Sequence, residues 1–203
     1  MTQFKFTEDY IVEDEYIKLI PLTMNHYDEL LKFSLSEPEI WMYSMVKADT
    51  AENLKMYMQN ALEKRFMEQE YTFVVFDKKK QRFCGATRYT DVNLQINKLQ
   101  MGYTWYGKDF QGTYVNKHCK FLLLQFAFEF MNMYRVEFRA YSENIRSINA
   151  LRSIGCHIEG TLRGNAIDEN GLRRDTIVLS ILQDEWNEHI KEMLFKKINN
   201  PFV

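Results

Sequence analysis

Residues 16–20 alternate in polarity and then meet Pro21, which predicts a first strand. Thr23 can cap a helix in which Met24, Tyr27, Leu30, Leu31 and Leu35 recur at helical spacing, and Pro38 ends it. Residues 37–49, with Trp41, Met42, Tyr43 and Met45, read as a loop or broken helix. Thr50 can cap a long helical stretch to about Gln69, with Leu54, Tyr57, Met58, Ala61, Leu62 and Phe66 on one face. Tyr71 to Phe76 is aromatic and β-branched and reads as a strand, followed by a polar turn at Asp77 and three lysines. Arg82 to Val92 and Lys98 to Tyr106 predict two more strands, with the turn at Asn93 to Asn97. A helix from about Val115 to Asn132 carries a dense apolar face of Phe121, Leu122, Leu124, Phe126, Phe128 and Phe130. Val136 to Tyr141 predicts a strand, and Asn144 to Ile154 a helix closed by Gly155. Ile158 to Arg163 and Arg173 to Leu182 read as strands around the turn Asp168-Glu169-Asn170-Gly171, and Glu185 to Lys197 as a last helix. The order is that of a mixed α/β (α+β) fold, with antiparallel hairpins first and helical crossovers later. With no repeat or linker, residues 1–203 are expected to form one domain.

Composition narrows the classes. The 203 residues include eight glycines and three prolines, too few for collagen, Gly/Ser linkers or Pro-rich disorder, and 46 % hydrophobic with 27 % charged residues is a globular mix. A net charge of −2 lends no support to nucleic-acid binding. The charge clusters at residues 13–15, 78–80, 173–174 and 196–197 are short, as expected of solvated turns and helix ends. Cys84, Cys119 and Cys156 form no CxxC pair and read as small buried hydrophobes in a reducing compartment. The sequence shows no secretory leader and no 18-residue apolar stretch, so the expectation is a cytoplasmic protein without membrane partners. No His/Cys/Asp spacing suggests a metal, and no Gly-x-Ser-x-Gly elbow suggests a hydrolase. His26 and His157 read as capping or surface histidines.

The chemistry concentrates between Met101 and Gly160. The strand at 101–105, the loop Lys108 to Asn116 and the long helix after it form a step whose first-turn N–H groups and positive dipole end suit an anion such as a pyrophosphate. With one glycine, that loop matches neither a P-loop nor a dinucleotide fingerprint, so taken alone it reads first as an ordinary capped helix. The next segment is more specific: Asn144-x-x-Ser147-x-x-x-Leu151-x-x-x-Gly155, then Glu159-Gly160. This pattern resembles the GNAT superfamily of N-acetyltransferases, in particular the branch of ribosomal-protein N-terminal acetyltransferases. Gln111 to Asn116 partly matches that superfamily's acyl-CoA signature, Gln/Arg-x-x-Gly-x-Gly/Ala. Leu19-Ile20-Pro21-Leu22, His26, Leu30, Glu39-Ile40-Trp41, Gly102-Tyr103, Asp175, Ser180 and Glu185-Trp186 agree in order, so the resemblance covers about residues 16–187.

The resemblance implies a mostly antiparallel sheet of about seven strands, flanked by helices, in which one parallel pair, 101–105 and 136–141, splays apart to take acetyl-CoA. The backbone of Tyr103, Thr104 and Trp105 would pair with the pantetheine arm. The amides of Gln111, Gly112, Thr113, Tyr114, Val115 and Asn116 would hold the pyrophosphate, with Lys117 a candidate phosphate partner. Asn144 would line the pantetheine, and Ser147 would face the thioester sulfur. A neutral primary amine, on a protein N-terminus or a small molecule, would attack the acetyl carbonyl directly, with an N–H near Trp105 stabilising the oxyanion. The first two helices would wall the acceptor side. Four positions depart from the family pattern. Tyr114 and Asn116 stand where small residues are usual, which main-chain contacts allow if the tyrosine side chain points away. Leu151 replaces a tyrosine that reprotonates the thiolate, leaving Ser147 as the best remaining donor, and Gln100 replaces a glutamate base. Asp91, Glu137 and Asp175 remain as candidate bases. The alternative is an acyl-CoA-binding module without catalysis. Either would act as a monomer or homodimer.

Overall fold

The computed structural model describes residues 4–44, 46–168 and 170–199. Met45 and Glu169, named above, lie outside the described residues. Eight strands form one sheet in the order β1-β2-β3-β4-β5-β6-β8-β7. They are β1 (Val12–Glu13), β2 (Ile17–Pro21), β3 (Tyr71–Asp77), β4 (Arg82–Asn93), β5 (Lys98–Tyr106), β6 (Arg135–Tyr141), β7 (His157–Ile167) and β8 (Arg173–Leu182). Only β5 and β6 run parallel; the other neighbouring pairs are antiparallel. The eighth strand is β1, two residues long and with no periodicity to announce it.

Two helical layers cover the sheet. On one face, α1 (Tyr27–Ser36) and α2 (Ala51–Phe66) bury Leu30, Leu54, Tyr57, Met58 and Ala61 against Val74, Ala86 and Trp105. On the other, α3 (Tyr114–Gln125) and a C-terminal helix over 183–199 share a core with Leu99, Met101, Tyr106, Val136 and Phe138. Between β6 and β7 stands α4 (Ile145–Ser153). Capping follows sequence. Thr50 accepts from the Asn53 amide, Asn144 from the Ser147 amide, and His26 Nδ1 from the Thr23 amide at 3.0 Å. Gly155, at φ +96°, closes α4 as expected.

Element ends differ from the sequence reading in three places. α2 stops at Phe66 rather than near Gln69, because Glu68 turns the chain at φ 58° and brings Glu70 into the interior, 4 % exposed. α3 is regular only to Gln125 and continues as a wide π turn over Phe126–Phe130, which seats Phe128 against Trp186 with ring centroids 5.5 Å apart. β7 runs on to Ile167, paired with β8 across register shifts.

Candidate active site

The parallel pair parts early. β5 and β6 are in register at Lys98–Arg135, Leu99–Val136 and Gln100–Glu137, and pairing stops there. Each strand keeps its other neighbour: β5 follows β4 up to Tyr106–Gly85, and β6 follows β8 up to Tyr141–Thr176. A wedge therefore opens between 101–106 and 138–141, with one ladder edge of β5 unpaired along it. Opposite this edge the β4–β5 register slips: Ala86 faces Trp105, but Arg88 faces Gly102, so β5 carries one extra residue. Tyr103 sits in that bulge at φ 49°, a backbone region that bulky residues rarely adopt. Gly85 makes the close approach possible, since a Cβ there would stand 2.1 Å from the Trp105 carbonyl oxygen.

Past β5 the chain makes one 3-10 turn (Lys108–Phe110) and enters α3. The Glu37 carboxylate at the end of α1 accepts from the Lys108 amide at 2.7 Å. Thr113 is the N-cap of α3, with Oγ1 accepting from the Val115 amide at 3.3 Å. Gly112 takes φ +73°, and nothing lies within 4 Å of where its Cβ would be, so the main chain is bare at the helix start. Tyr114 does not block it: its hydroxyl donates to the buried Asp77 carboxylate at the end of β3, at 2.7 and 2.9 Å. Gln111 ties the loop both ways, donating from Nε2 to the Tyr106 carbonyl and accepting at Oε1 from Arg146 Nη1 at 2.7 Å. That last bond brings the loop 111–116 and the start of α4 together, and adds a cation that sequence reasoning did not single out. Val115 is fully buried, and Asn116 half-buried in the first turn.

The two basic neighbours diverge. Exposed Lys117 lines a cavity of about 240 Å³ with Ser153, Ile154, Leu194 and Lys197. His118 turns inward, 2.6 Å from Asp14 Oδ2 and against the Tyr16 ring. Burial alone would raise the Asp14 carboxyl, but the bond with His118 and the amides of Ile17 and Tyr16 outweigh it and hold it below its ordinary value. His118 therefore belongs to the β1–β2 packing.

On α4, Asn144 Oδ1 is spent on the helix cap, Ser147 is half-buried one turn in, and Leu151 packs in the core. The three candidate bases are differently placed. Burial raises the Glu137 carboxyl, but bonds from Arg135 and Arg139 overcome that and lower it, making it a poor proton acceptor. Asp175 accepts from the Gly164 amide at 2.7 Å, and Asp91 is exposed near the end of β4, at φ 48° where the β4–β5 register shifts. The cysteines are free and buried. Among the described residues, no group of His, Cys, Asp or Glu is placed to hold a metal, and no helix is long and apolar enough to cross a membrane.

Two features around the wedge went unread in the sequence. On the α1/α2 face, Arg88 is buried with Glu70 at 2.5 Å, and its guanidinium lies 4.8 and 4.7 Å from the ring centroids of Tyr57 and Tyr103. Beside them the indoles of Trp41 and Trp105 pack 4.7 Å apart, and their N–H groups find no partner among the described residues. On the α3 face, the ammonium of Lys120 is buried at the wedge, donating to Thr104 Oγ1 at 3.1 Å. The only sequence signal was a lysine between Cys119 and Phe121 on a helix otherwise apolar there.

Comparison with known proteins agrees with this geometry. The pattern defining the acetyltransferase (GNAT) domain family matches residues 17–157. The protein named "Probable N-acetyltransferase YjcK" from Bacillus subtilis (strain 168) is 24 % identical over 180 residues, covering 86 % of this chain and 98 % of its own. The crystal structure of a GCN5-related N-acetyltransferase from Brucella melitensis superposes with a TM-score of 0.87 at 23 % identity, over 98 % of this chain and 89 % of its own. Mycobacterium smegmatis RimJ, solved in complex with CoA-disulfide, superposes at 0.77 and 16 % identity over 92 % of each chain. At these identities the two structures establish the shared fold.

Proposed function

Because the chain belongs to the GNAT family of acetyltransferases, and so is an acyltransferase, we propose that it moves the acetyl group of acetyl-CoA to a primary amine by direct attack. The whole chain acts as one such domain. The observation that carries this reading is the wedge: a parallel pair that parts after Gln100 and Glu137, beside a bulge at Tyr103. Acetyl-CoA supplies the activated acyl carbon. The unpaired edge of β5 at Tyr103, Thr104 and Trp105 can hydrogen-bond the pantetheine amides as an added strand would. The orphan first-turn amides of α3, reached past Gly112, and the dipole behind them suit the pyrophosphate, while Tyr114 is occupied elsewhere by Asp77. Arg146 and Lys117 supply cations on either side.

A main-chain N–H of the 103–105 segment stabilises the oxyanion, and Ser147 donates a hydrogen bond toward the sulfur. The gain comes mainly from holding amine and thioester together in one water-poor cleft. The amine enters from the α1/α2 face, past Tyr57, Tyr103 and the two indoles, and is a protein N-terminus or a small molecule. Thiol release from acetyl-CoA, followed across a panel of peptides and small amines with wild type and Ser147→Ala, tests this. Turnover with at least one amine, reduced in the variant, is expected. Thermal stabilisation by acetyl-CoA without turnover on any amine would refute the transfer, and no stabilisation would refute the binding site as well.

A further inference from the structure

We propose that Lys120 is the acid that returns a proton to the departing CoA thiolate. This rests on the acetyl-CoA reading of the wedge.

The placement is unusual for a lysine. Lys120 is 5 % exposed on the sheet-facing side of α3 and reaches the stretch of β5 where β6 has parted from it. Among the described residues its ammonium donates to Thr104 Oγ1 at 3.1 Å, itself 2.8 Å from Thr87 Oγ1, and its Nζ stands 5.4 Å from the centroid of Phe138 on β6. Both walls of the wedge thus meet this amine. An ammonium has three donors, and a buried one almost always finds a carboxylate. Among the described residues Lys120 has none within ion-pair distance. The titratable groups facing it are the thiols of Cys119 on its own helix and Cys156 just before β7, and burial pushes both up to about 12, so neither is an anion at neutral pH. β4, β5 and β6 contribute Thr87, Thr104 and Phe138. Burial in turn draws Lys120 down from 10.5 to about 8.

The chemistry needs such a group. The acceptor amine forms a C–N bond to the acetyl carbon, the C–S bond breaks with its electron pair going to sulfur, and the sulfur must take a proton. Leu151 cannot give one. The Ser147 hydroxyl is a far weaker acid than a thiol, so it can orient the sulfur but not neutralise it. An ammonium that titrates close to an ordinary thiol, about 8.5, is matched to that task. Lys120 gives its proton to sulfur, is left as a neutral amine, and regains a proton from solvent as CoA leaves; the acceptor nitrogen sheds its own proton to water.

The first arm of the test needs no acceptor. CoA is bound to wild type, Lys120→Met and Lys120→Arg, affinity is measured by calorimetry, and the bound thiol is titrated by its ultraviolet absorbance. In wild type the bound thiol should ionise about one unit or more below free CoA, because a cation stands beside it. Lys120→Met should bind CoA but lose that depression. Lys120→Arg should keep the depression, while with any accepted amine its kcat falls with that of Lys120→Met by about 10²–10⁴, because a guanidinium does not give up its proton. The wild-type kcat should decline as pH rises through about 8. A bound wild-type thiol that titrates at or above the free value overturns the proposal without reference to any variant. CoA that fails to bind wild type overturns the acetyl-CoA reading beneath it instead.

Discussion

An ammonium enclosed by Thr104, Phe138 and two neutral thiols costs the free protein stability, and the sign of that cost can be worked out. Unfolded, Lys120 titrates at its ordinary 10.5; folded, at about 8. As pH falls from 10.5 the unfolded chain takes up the proton first, so folding loses free energy until about pH 8, below which the loss is complete. The gap corresponds to on the order of 3 kcal/mol. Replacing the buried cation with an apolar chain of like length removes it. Urea unfolding at pH 7 should therefore find Lys120→Met more stable than wild type, with the difference shrinking toward pH 10; a less stable variant at every pH would mean the amine is held by a partner other than Thr104. Gly112 poses the opposite case, a residue whose lack of a side chain is the function. Its position is open, so Gly112→Asp should fold with a modest strain from the φ of +73°, yet it sets a carboxylate against the pyrophosphate. CoA affinity should fall about tenfold or more, roughly 1.4 kcal/mol, by calorimetry. Unchanged affinity would remove the phosphate from this loop.

The start of α3 is an element held from two sides, and each hold can be released separately. Tyr114 reaches back to Asp77, whose Oδ1 also accepts from the Lys79 and Lys80 amides, so the β3–β4 turn and α3 share one buried carboxylate. Tyr114→Phe should cost about 1–3 kcal/mol in urea unfolding while leaving CoA affinity unchanged, since only main chain faces the phosphates. A loss of affinity as large as that of Gly112→Asp would instead put the tyrosine side chain at the ligand. At this scale the sequence was largely legible. Thr23, Thr50, Asn144 and Gly155 marked helix ends by local capping chemistry, and the strands from β3 to β6 began and ended within a residue or two of where alternation and turn residues placed them. Illegible features depend on partners distant in sequence. The Tyr103 bulge exists because β4 and β5 pair out of step around Gly85. Lys120 is buried between Thr104 of β5 and Phe138 of β6, beyond the point where the two strands part. The inward turn of His118 depends on Asp14, 104 positions away. The role of Glu70 likewise needs Arg88 and Lys64 beside it.

For the whole molecule, the wedge is a flaw in an otherwise continuous sheet, and its two halves are held open by different layers. α1 and α2 fasten β2–β5 from one face, whereas α3 and the C-terminal helix pack across to β6 from the other. The direct β5–β6 link is three residue pairs long, at one end of the wedge. A ligand lying along β5 would bridge the halves where the protein leaves them unbridged, so its effect should reach beyond local contacts. Acetyl-CoA at 100 times its Kd should stabilise the fold by about 2.7 kcal/mol. For a chain of 203 residues that corresponds to a rise in Tm of roughly 5–10 °C. Amide hydrogen exchange distinguishes bridging from simple burial. If the pantetheine completes the open edge, amides in 101–106 and the first turn of α3 should slow most. The core strands β3 and β4, paired on both sides, should change only by the global stabilisation. Uniform protection, with no excess at 101–106, would mean that CoA stabilises the molecule from some other surface.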